Sequence, residues 1–219
     1  MRNTIRKFKD NFYYLIFWPI YVGVFMAVES LDLGLTYHRV HFFLDDLIPF
    51  SEYFVLPYLT WHPLIAIVLI YTLIYETDNF RNLMKFFILT FSVTMVIYLV
   101  YPTYLDLRPE TLEGDNIFMW IVRFVYSVDT PTNVCPSLHI IGSLGLLFAS
   151  WDTRGRDSIP KKVFMAVAVV FICASTLFMK QHSVVDVVAA IPIAFIGWLI
   201  CFRGKEIERF KGLDSNIEL

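Results

Sequence analysis

The sequence predicts an all-α integral membrane protein with six transmembrane helices and short interfacial helices in its outer loops. Of its 219 residues, 57% are hydrophobic and 17% are charged, and the mean hydropathy is +0.59, which is too apolar for a soluble domain of this length. The apolar residues fall into six long runs. Because a bilayer core of about 30 Å takes roughly 20 residues of helix, and no unpaired backbone can face lipid, these runs predict membrane-spanning helices.

The runs are separated by connections of unequal length. The six predicted spans are residues 12–28, 53–75, 86–104, 136–151, 163–179 and 184–202. The fourth is short and is expected to line a crevice inside the protein. The long connections, 29–52 and 105–135, lie on the same side, and each contains a mixed aromatic and charged segment, 41–50 and 117–128, that predicts an interfacial helix. There is no internal repeat, so a single membrane domain over 1–219 is expected.

The basic residues predict the orientation. Fourteen of the 18 Lys and Arg flank the side on which both termini lie, which leaves Arg39, Arg108, Arg123 and Lys180 for the opposite side. Since Lys and Arg near span ends are retained in the cytoplasm, both termini are expected there, with the long loops outside and the plasma membrane as the location.

Neither a metal nor a disulfide framework is indicated. Cys135, Cys173 and Cys201 are an odd number without CxxC spacing and are expected to be small packing residues. The acidic and histidine residues of the first long loop, His38, His41, Asp45 and Asp46, could hold a metal by residue type, but their spacing favours an interfacial segment with solvated acids. His62, beside Pro63, is interpreted as a residue at a helix kink.

His182 and Asp186 form the pair that most strongly suggests chemistry. They are four residues apart at the start of the last span, so they share a helix face, and the carboxylate can accept the Nδ1 proton of the imidazole. Nε2 is then free to act as a nucleophile, and the carboxylate can stabilise the imidazolium. A structural polar pair at the interface is the alternative reading.

His139 starts the fourth span, directly after Pro136 and Ser137. Pro is favoured in a first helical turn, where free N–H groups bind anions. His139 could therefore donate a proton to a leaving oxygen while Ser137 holds phosphate oxygens. A simple interfacial histidine is the alternative.

Two outer cations are candidate phosphate ligands. Arg108 offers a bidentate fork, and Lys180 offers a point charge two residues before His182. Each alone could also be a surface cation. Arg123 is expected to bind a lipid headgroup or to have a structural role, and Arg39 has no assigned role.

The segments YPTYLDLRP (101–109), PSLH (136–139) and STLFMKQHSVVD (175–186) resemble, in order and spacing, the three motifs of the type-2 phosphatidic acid phosphatase superfamily. Those motifs read K-x6-R-P, P-S-G-H and S-R-x5-H-x3-D, and the resemblance covers roughly 83–202. It implies a metal-independent enzyme in which His182 becomes phosphorylated, Asp186 orients it and His139 is the general acid. It also implies that Arg108 and Ser137 bind the phosphate and that no cofactor is needed.

Three positions depart from the motifs: Tyr101 replaces Lys, Leu138 replaces Gly and Thr176 replaces the second Arg. Lys180 is hypothesised to supply part of the lost charge. The PSLH form is similar to the branch of inositol phosphorylceramide synthases and related bacterial lipid phosphatases.

Three functions are therefore expected, in order. The first is a membrane lipid phosphate phosphatase acting on phosphatidate-like or polyprenyl pyrophosphate substrates at the outer face. The second is a headgroup phosphotransferase that uses the same residues, and the third is a non-enzymatic lipid-binding or transport protein. The expected partners are the bilayer and its lipid phosphate, with no nucleic acid and no protein partner.

Overall fold

The computed structural model describes residues 2–30, 34–152 and 159–203, with the side chains given from Lys9 onward. Eight α-helices make up most of this chain. They are α1 (Arg2–Leu15), α2 (Phe17–Ser30), α3 (Val55–Tyr75), α4 (Thr77–Val100), α5 (Ile117–Val128), α6 (Leu138–Trp151), α7 (Ile159–Phe178) and α8 (Val184–Trp198). Short 3-10 turns lie at Phe43–Asp46 and Glu52–Phe54, and α8 continues into a π turn at Leu199–Arg203. The basic loop 153–158 and tail 204–219, which contribute to the charge prediction, lie outside the described residues.

Five of the described helical segments are long and apolar enough to cross a membrane: Lys9–Ser30, Glu52–Tyr75, Thr77–Val100, Ile159–Phe178 and Val184–Arg203. The predicted fourth span forms α6, which has only 14 residues and falls short of the roughly 20 that a crossing needs. It packs against α4, α7 and α8. The structure therefore supports a helical membrane protein but does not confirm six crossings.

The third predicted span, 86–104, is wrong at both ends. Helix α4 begins nine residues earlier, at Thr77, because the polar first turn is packed against the rest of the protein: Asn79 is buried and donates to the Ala149 carbonyl at 2.9 Å. It ends at Val100, since Pro102 disfavours a helical backbone at Tyr101, whose φ is −138° and ψ 70°. Thr103–Tyr104 instead forms a two-residue parallel strand pair with His38–Arg39.

The two predicted interfacial helices differ in outcome. The segment 117–128 is a helix with the predicted bounds, capped by the Asn116 side chain, which accepts from the Met119 amide. The segment 41–50 is not an α-helix, and only Phe43–Asp46 forms a 3-10 turn. This turn is held by tertiary contacts of Asp45 rather than by helical periodicity.

The main core lies between α4, α6 and α8, where glycines allow close contact. A β-carbon on Gly145 would lie 2.5 Å from the Phe86 ring, and one on Gly197 would lie 2.5 Å from Thr90. Phe86, Phe87 and Ile141 have no exposed surface. This packing fixes the starts of α6 and α8 side by side at one end of the bundle, where the backbone amide of Ser137 donates to the Asp186 carbonyl at 3.2 Å.

Candidate active site

His182 lies two residues before the start of α8 and is 7% exposed. Its Nδ1 lies 3.1 Å from Asp186 Oδ2, one helical turn along, as the i, i+4 spacing predicts. Asp186 is completely buried, and the same Oδ2 accepts from the Ser183 amide at 2.8 Å. The carboxylate therefore caps the helix and orients the imidazole at once, and Nε2 is the ring nitrogen that faces away from it.

His139 approaches from α6. Its Nδ1 lies 3.4 Å from His182 Nε2, a contact at the long limit of a hydrogen bond. The ring of His139 packs against the rings of Tyr58 and Trp61, with centroids 4.6 and 4.4 Å away. Because Asp186 favours the tautomer of His182 that carries its proton on Nδ1, the proton between the two histidines belongs to His139.

Ser137 is the N-cap of α6 and is fully buried. Its Oγ accepts from the Ile140 amide at 3.4 Å, and the residue is not among those that line the cavity in front of the histidines, so the structure does not bring this predicted phosphate ligand to the cavity surface. The segment before it is fixed by Thr103, whose Oγ1 accepts from the amides of Val134 and Cys135 at 3.2 and 3.1 Å. The second motif is thus attached to the first through Thr103 and to the third through Asp186.

A cavity of about 390 Å³ opens in front of the two histidines. Its wall is mainly apolar and aromatic and comes from α2, α3, α4, α5, α6 and the segment after α5. The lining includes Tyr58, Trp61, His62, Asp129, Gln181 and the histidine pair. Several rim residues are strongly exposed apolar side chains, namely Val22 at 49%, Phe124 at 59% and Val128 at 65%. The histidines therefore face a pocket whose outer edge is apolar.

The structure does not bring every predicted ligand to this cavity. Arg108 donates from Nη2 to the carbonyl of Asp129 at 2.6 Å and to Gln181 Oε1, and from Nη1 to the carbonyl of Tyr126. Its guanidinium stacks on the Tyr126 ring at 4.3 Å. Burial lowers the pKa of Arg108, and the nearby Asp129 opposes that shift. Gln181 lines the cavity and Arg108 does not. Arg108 therefore contacts a lining residue, Gln181, and not the cavity itself.

Lys180 contacts the first long loop and not the cavity. Its Nζ donates to the backbone carbonyl of Asp45 at 2.6 Å, and the residue does not line the cavity. Burial lowers the pKa of its ammonium group, and Asp45 and Asp46 oppose that shift. Lys180 thus binds the first long loop and does not replace a missing phosphate ligand in this arrangement.

The three departures from the motifs lie in different surroundings. Tyr101 is 54% exposed and stacks on His38 at 4.0 Å. Thr176 is buried, and its carbonyl accepts from the amides of Gln181 and His182. Leu138 is part of the cavity wall. Neither Tyr101 nor Thr176, the residues that replace the two motif cations, lines the cavity.

Asp45, expected from the sequence to be a solvated acid, is instead a buried residue that supports the site. Its Oδ2 accepts from Ser183 Oγ at 2.6 Å and from the Phe42 amide at 2.8 Å, while its Oδ1 accepts from the Val184 amide at 2.8 Å. It is 2% exposed. The metal considered for this loop would need this carboxylate, and the part of the chain that the structure describes contains no group of His, Cys, Asp or Glu that could hold an ion.

Asp129 was missed as well, although the sequence contains a signal for it. It directly follows α5, where the negative end of the helix dipole disfavours an acidic residue. An acid in that place needs a partner elsewhere. The structure supplies Tyr58, whose hydroxyl donates to Asp129 Oδ2, and Gln181, whose Nε2 lies 3.3 Å from the same oxygen.

The structure also places the other residues that the sequence analysis interpreted. Arg123 donates to the carbonyls of Leu112 and Gly114, both at 2.7 Å, and Arg39 forms an ion pair with Asp106 at 2.8 Å. Burial and the neighbouring Asp186 carboxylate raise the pKa of the Cys135 thiol to about 12, so it remains neutral. His62 lines the cavity.

The sequence matches one known protein family. No curated protein and no solved structure matches the chain. A family model described as the PAP2 superfamily matches residues 24–200, well over half of the chain and including all three motifs. Members of that superfamily are phosphatases and phosphotransferases. The chain therefore belongs to the PAP2 superfamily, the type-2 phosphatidic acid phosphatases that its motifs resemble.

Proposed function

We propose that this protein is a membrane enzyme that removes a phosphoryl group from a membrane lipid through a covalent intermediate on His182. The observation that carries the proposal is the chain of contacts from Asp186 to His182 to His139 at the floor of the cavity. A nucleophile, the acid that orients it and a proton donor are what phosphoryl transfer through histidine requires.

In the first step His182 Nε2 attacks phosphorus while Nδ1–H donates to Asp186, and the carboxylate stabilises the imidazolium that forms. The bond from phosphorus to the leaving oxygen breaks, and that oxygen takes the Nδ1 proton of His139, which enters the step as an imidazolium and leaves it as a neutral imidazole. In the second step His139 accepts a proton from the attacking water, and the bond between phosphorus and His182 breaks.

Substrate binding must change the His139–His182 contact. At 3.4 Å the two nitrogens leave no space for a phosphoryl group between them, because a reacting phosphorus itself needs about 3–3.5 Å from the nucleophile. The long contact is weak, and His139 Nε2 is buried without a hydrogen-bond partner among the described residues. Rotation of His139 toward the leaving oxygen therefore breaks only this weak contact with His182.

A lipid substrate is supported by the rim of the cavity. Val22, Phe124 and Val128 are apolar and exposed beside helices with the composition of membrane spans. An acyl or prenyl chain can leave the cavity across this rim into the bilayer while the phosphate stays at the histidines. Phosphatidate-like lipids and polyprenyl pyrophosphates both meet this requirement.

The second candidate is a headgroup phosphotransferase, in which an alcohol instead of water releases the phosphoryl group. One observation favours it: within the described residues, neither Lys nor Arg lines the cavity. A phosphodiester carries one negative charge and needs less neutralisation than a monoester or a pyrophosphate. The donors of headgroup transferases are phosphodiesters.

The decisive experiment supplies the detergent-purified protein, in EDTA, with a panel of lipid phosphates, with and without polyol acceptors. We expect turnover by wild type and a loss of about 10⁴-fold or more in His182→Ala, with His38→Gln as an exposed histidine control. Free phosphate as product supports the phosphatase, and a new phosphodiester supports the transferase. Equal turnover by wild type and His182→Ala would refute the proposal, and no turnover of any lipid would favour a binding or transport role.

We also propose that the site faces the outside of the plasma membrane, with both termini in the cytoplasm. The support is the Lys and Arg asymmetry of the sequence, together with the position of the cavity at the end of the bundle that carries the long loops. A cysteine placed at the exposed Asp115 should react with an impermeant thiol reagent in intact cells while the unsubstituted protein does not. Protection of that cysteine until the cells are lysed would reverse the topology.

A further inference from the structure

The charge inside the cavity does not suit a bare phosphate. Apart from tyrosines, the ionisable side chains lining it are Asp129 and the imidazoles of His62, His139 and His182. The lining therefore contains one carboxylate and, among the described residues, no lysine or arginine, and the cation that the mechanism requires there is the proton that His139 carries as general acid. A dianionic phosphate at His182 would meet this carboxylate without a guanidinium or ammonium group to offset it, since Arg108 is bound to Gln181 and to backbone carbonyls.

One oxygen of the Asp129 carboxylate is held by hydrogen bonds, and the other has none. Both protein donors that reach it, the Tyr58 hydroxyl and Gln181 Nε2, go to Oδ2. Its Oδ1 has no hydrogen-bond partner among the described residues, and the residue is part of the cavity wall. A carboxylate oxygen can accept two hydrogen bonds, so this one remains available to a ligand.

The bonds that fix Asp129 do not require its charge. A neutral amide oxygen would accept from Tyr58 and Gln181 equally well, and Arg108 contacts the backbone carbonyl of Asp129 rather than its side chain. The negative charge lies at the C-terminal end of α5, which disfavours it. Arg108 offsets part of this cost through space. A cation bound in the cavity would offset the rest.

Aromatic rings surround the same place. Tyr58 and Trp61 flank His139 and line the cavity together with Phe124. Carboxylates with aromatic faces recognise ammonium groups, through a charged hydrogen bond and through cation–π attraction. A polyol headgroup would find fewer hydrogen-bond donors, because the nearby side chains of Thr130, Thr132 and Asn133 all donate to Glu29.

We infer that Asp129 is the headgroup-binding residue of the substrate site and binds the ammonium group of a phosphodiester lipid whose phosphate lies at His182. This inference rests on the proposed phosphoryl transfer and names its substrate class. The ligand is zwitterionic, so its own ammonium neutralises its phosphate. That accounts for a working site without the two cations that Tyr101 and Thr176 replace.

A bond forms between His182 Nε2 and phosphorus, and the bond from phosphorus to the glycerol oxygen of the lipid breaks. That oxygen keeps the electron pair, takes the proton from His139 and leaves as diacylglycerol. The ammonium-bearing headgroup stays on phosphorus as a phosphoramidate at His182, anchored at Asp129, until water or an alcohol displaces it.

The test compares two lipids with identical acyl chains, phosphatidylethanolamine and phosphatidate, on wild type and Asp129→Asn. We expect the substitution to lower kcat/KM for phosphatidylethanolamine by roughly 10-fold or more, and to raise kcat/KM for phosphatidate, because a repulsive charge is removed. Asp115→Asn, in the exposed loop before α5, is the matched control and should change neither. Asp129→Glu, which keeps the charge, should retain a preference for the ammonium lipid.

An equal loss on both lipids would overturn the inference and make Asp129 a structural residue, and so would an unchanged rate on phosphatidylethanolamine. Binding separates this inference from the proposed function. Native mass spectrometry of His182→Ala, with and without Asp129→Asn, should show bound phosphatidylethanolamine that depends on Asp129 and little phosphatidylglycerol. If such binding occurs but wild type turns over no lipid, the headgroup site stands and phosphoryl transfer fails. If wild type turns over phosphatidate but binding ignores Asp129, the reverse holds.

Discussion

The two sides of His182 differ in how firmly they are held. The supporting face is the Nδ1 side, which Asp186 contacts and behind which Asp45 holds the following residues, and the cavity face is the Nε2 side. On the supporting face, Asp186 and Asp45 are 0% and 2% exposed, and together they receive five hydrogen bonds from the loop and first turn of α8 and from Phe42. On the cavity face, the hydrogen-bond contact that the described residues provide is the 3.4 Å approach of His139. The nucleophile is thus held firmly on its Nδ1 side and weakly on its Nε2 side.

This difference matches the demands of the chemistry. Orientation of a nucleophile is worth most when it is fixed before the substrate arrives, because no ordering cost then falls on the reaction step. The groups that meet the substrate must exchange a contact with each other for a contact with phosphate. A weak His139–His182 contact permits that exchange, and a strong one would oppose it.

The supporting face can be loosened without touching the substrate by Asp45→Asn. The amide nitrogen would face donors at one of the two carboxylate positions, leaving a buried group unsatisfied at a cost of about 1–3 kcal/mol and freeing the loop that carries His182. We expect kcat to fall by roughly 10- to 100-fold with little change in KM. Steady-state kinetics on a lipid that wild type turns over, with thermal unfolding in detergent, provide the measurement.

Asp46→Asn is the matched control for Asp45. Its side chain is 63% exposed and pairs with His41 at 3.0 Å, a contact of little energetic value at the surface. It should behave as wild type. If Asp45→Asn and Asp46→Asn have the same kcat, the supporting face does not depend on Asp45.

The cavity face can be disturbed from behind His139 by Gly142→Ala. The new β-carbon would lie 2.7 Å from the Trp61 ring, and that ring packs on His139, so both should move. Gly145→Ala makes a similar clash, 2.5 Å from Phe86, but in the core of the bundle. Overpacking of this kind costs about 1–3 kcal/mol, so both variants should unfold at lower temperature.

Only Gly142→Ala should also lower kcat, by several-fold, in the fraction that remains folded. The measurement is kcat per folded protein, with the folded fraction taken from size-exclusion chromatography. Equal kcat in the two variants would mean that the position of the Trp61 ring does not control His139.

Part of this arrangement could be predicted from the sequence. The i, i+4 spacing of His182 and Asp186 fixes a local geometry, and local geometry survives folding. The apolar segment 117–128 carries a clear helical period and became α5 with the predicted bounds. The family motifs then bring His139 to the same place.

The parts that could not be predicted depend on long-range contacts. Asp45 lies 138 residues before its partner Ser183, and nothing in its local sequence distinguishes it from the exposed Asp46. Lys180 appeared to be a free outer cation because its acceptor, a backbone carbonyl of Asp45, has no sequence signature. The start of α4 was missed because Asn79 and its neighbours are polar, and their burial follows only from packing against α6.

Lys180 offers the smallest and most specific test of the supporting face. It has a positive φ of 51°, a left-handed conformation that costs a non-glycine residue free energy, and its ammonium group holds the loop containing Asp45. Lys180→Ala removes the bond and keeps the strain, so it should lower the free energy of unfolding by about 1 kcal/mol. Lys180→Gly removes the bond and the strain together, so it should be more stable than Lys180→Ala by roughly 0.5–1 kcal/mol. Because Nζ does not reach the cavity, KM for a lipid phosphate should stay within about 2-fold of wild type in both variants. Thermal unfolding and steady-state kinetics on the three proteins separate these effects, and a large rise in KM in both variants would return Lys180 to the phosphate site.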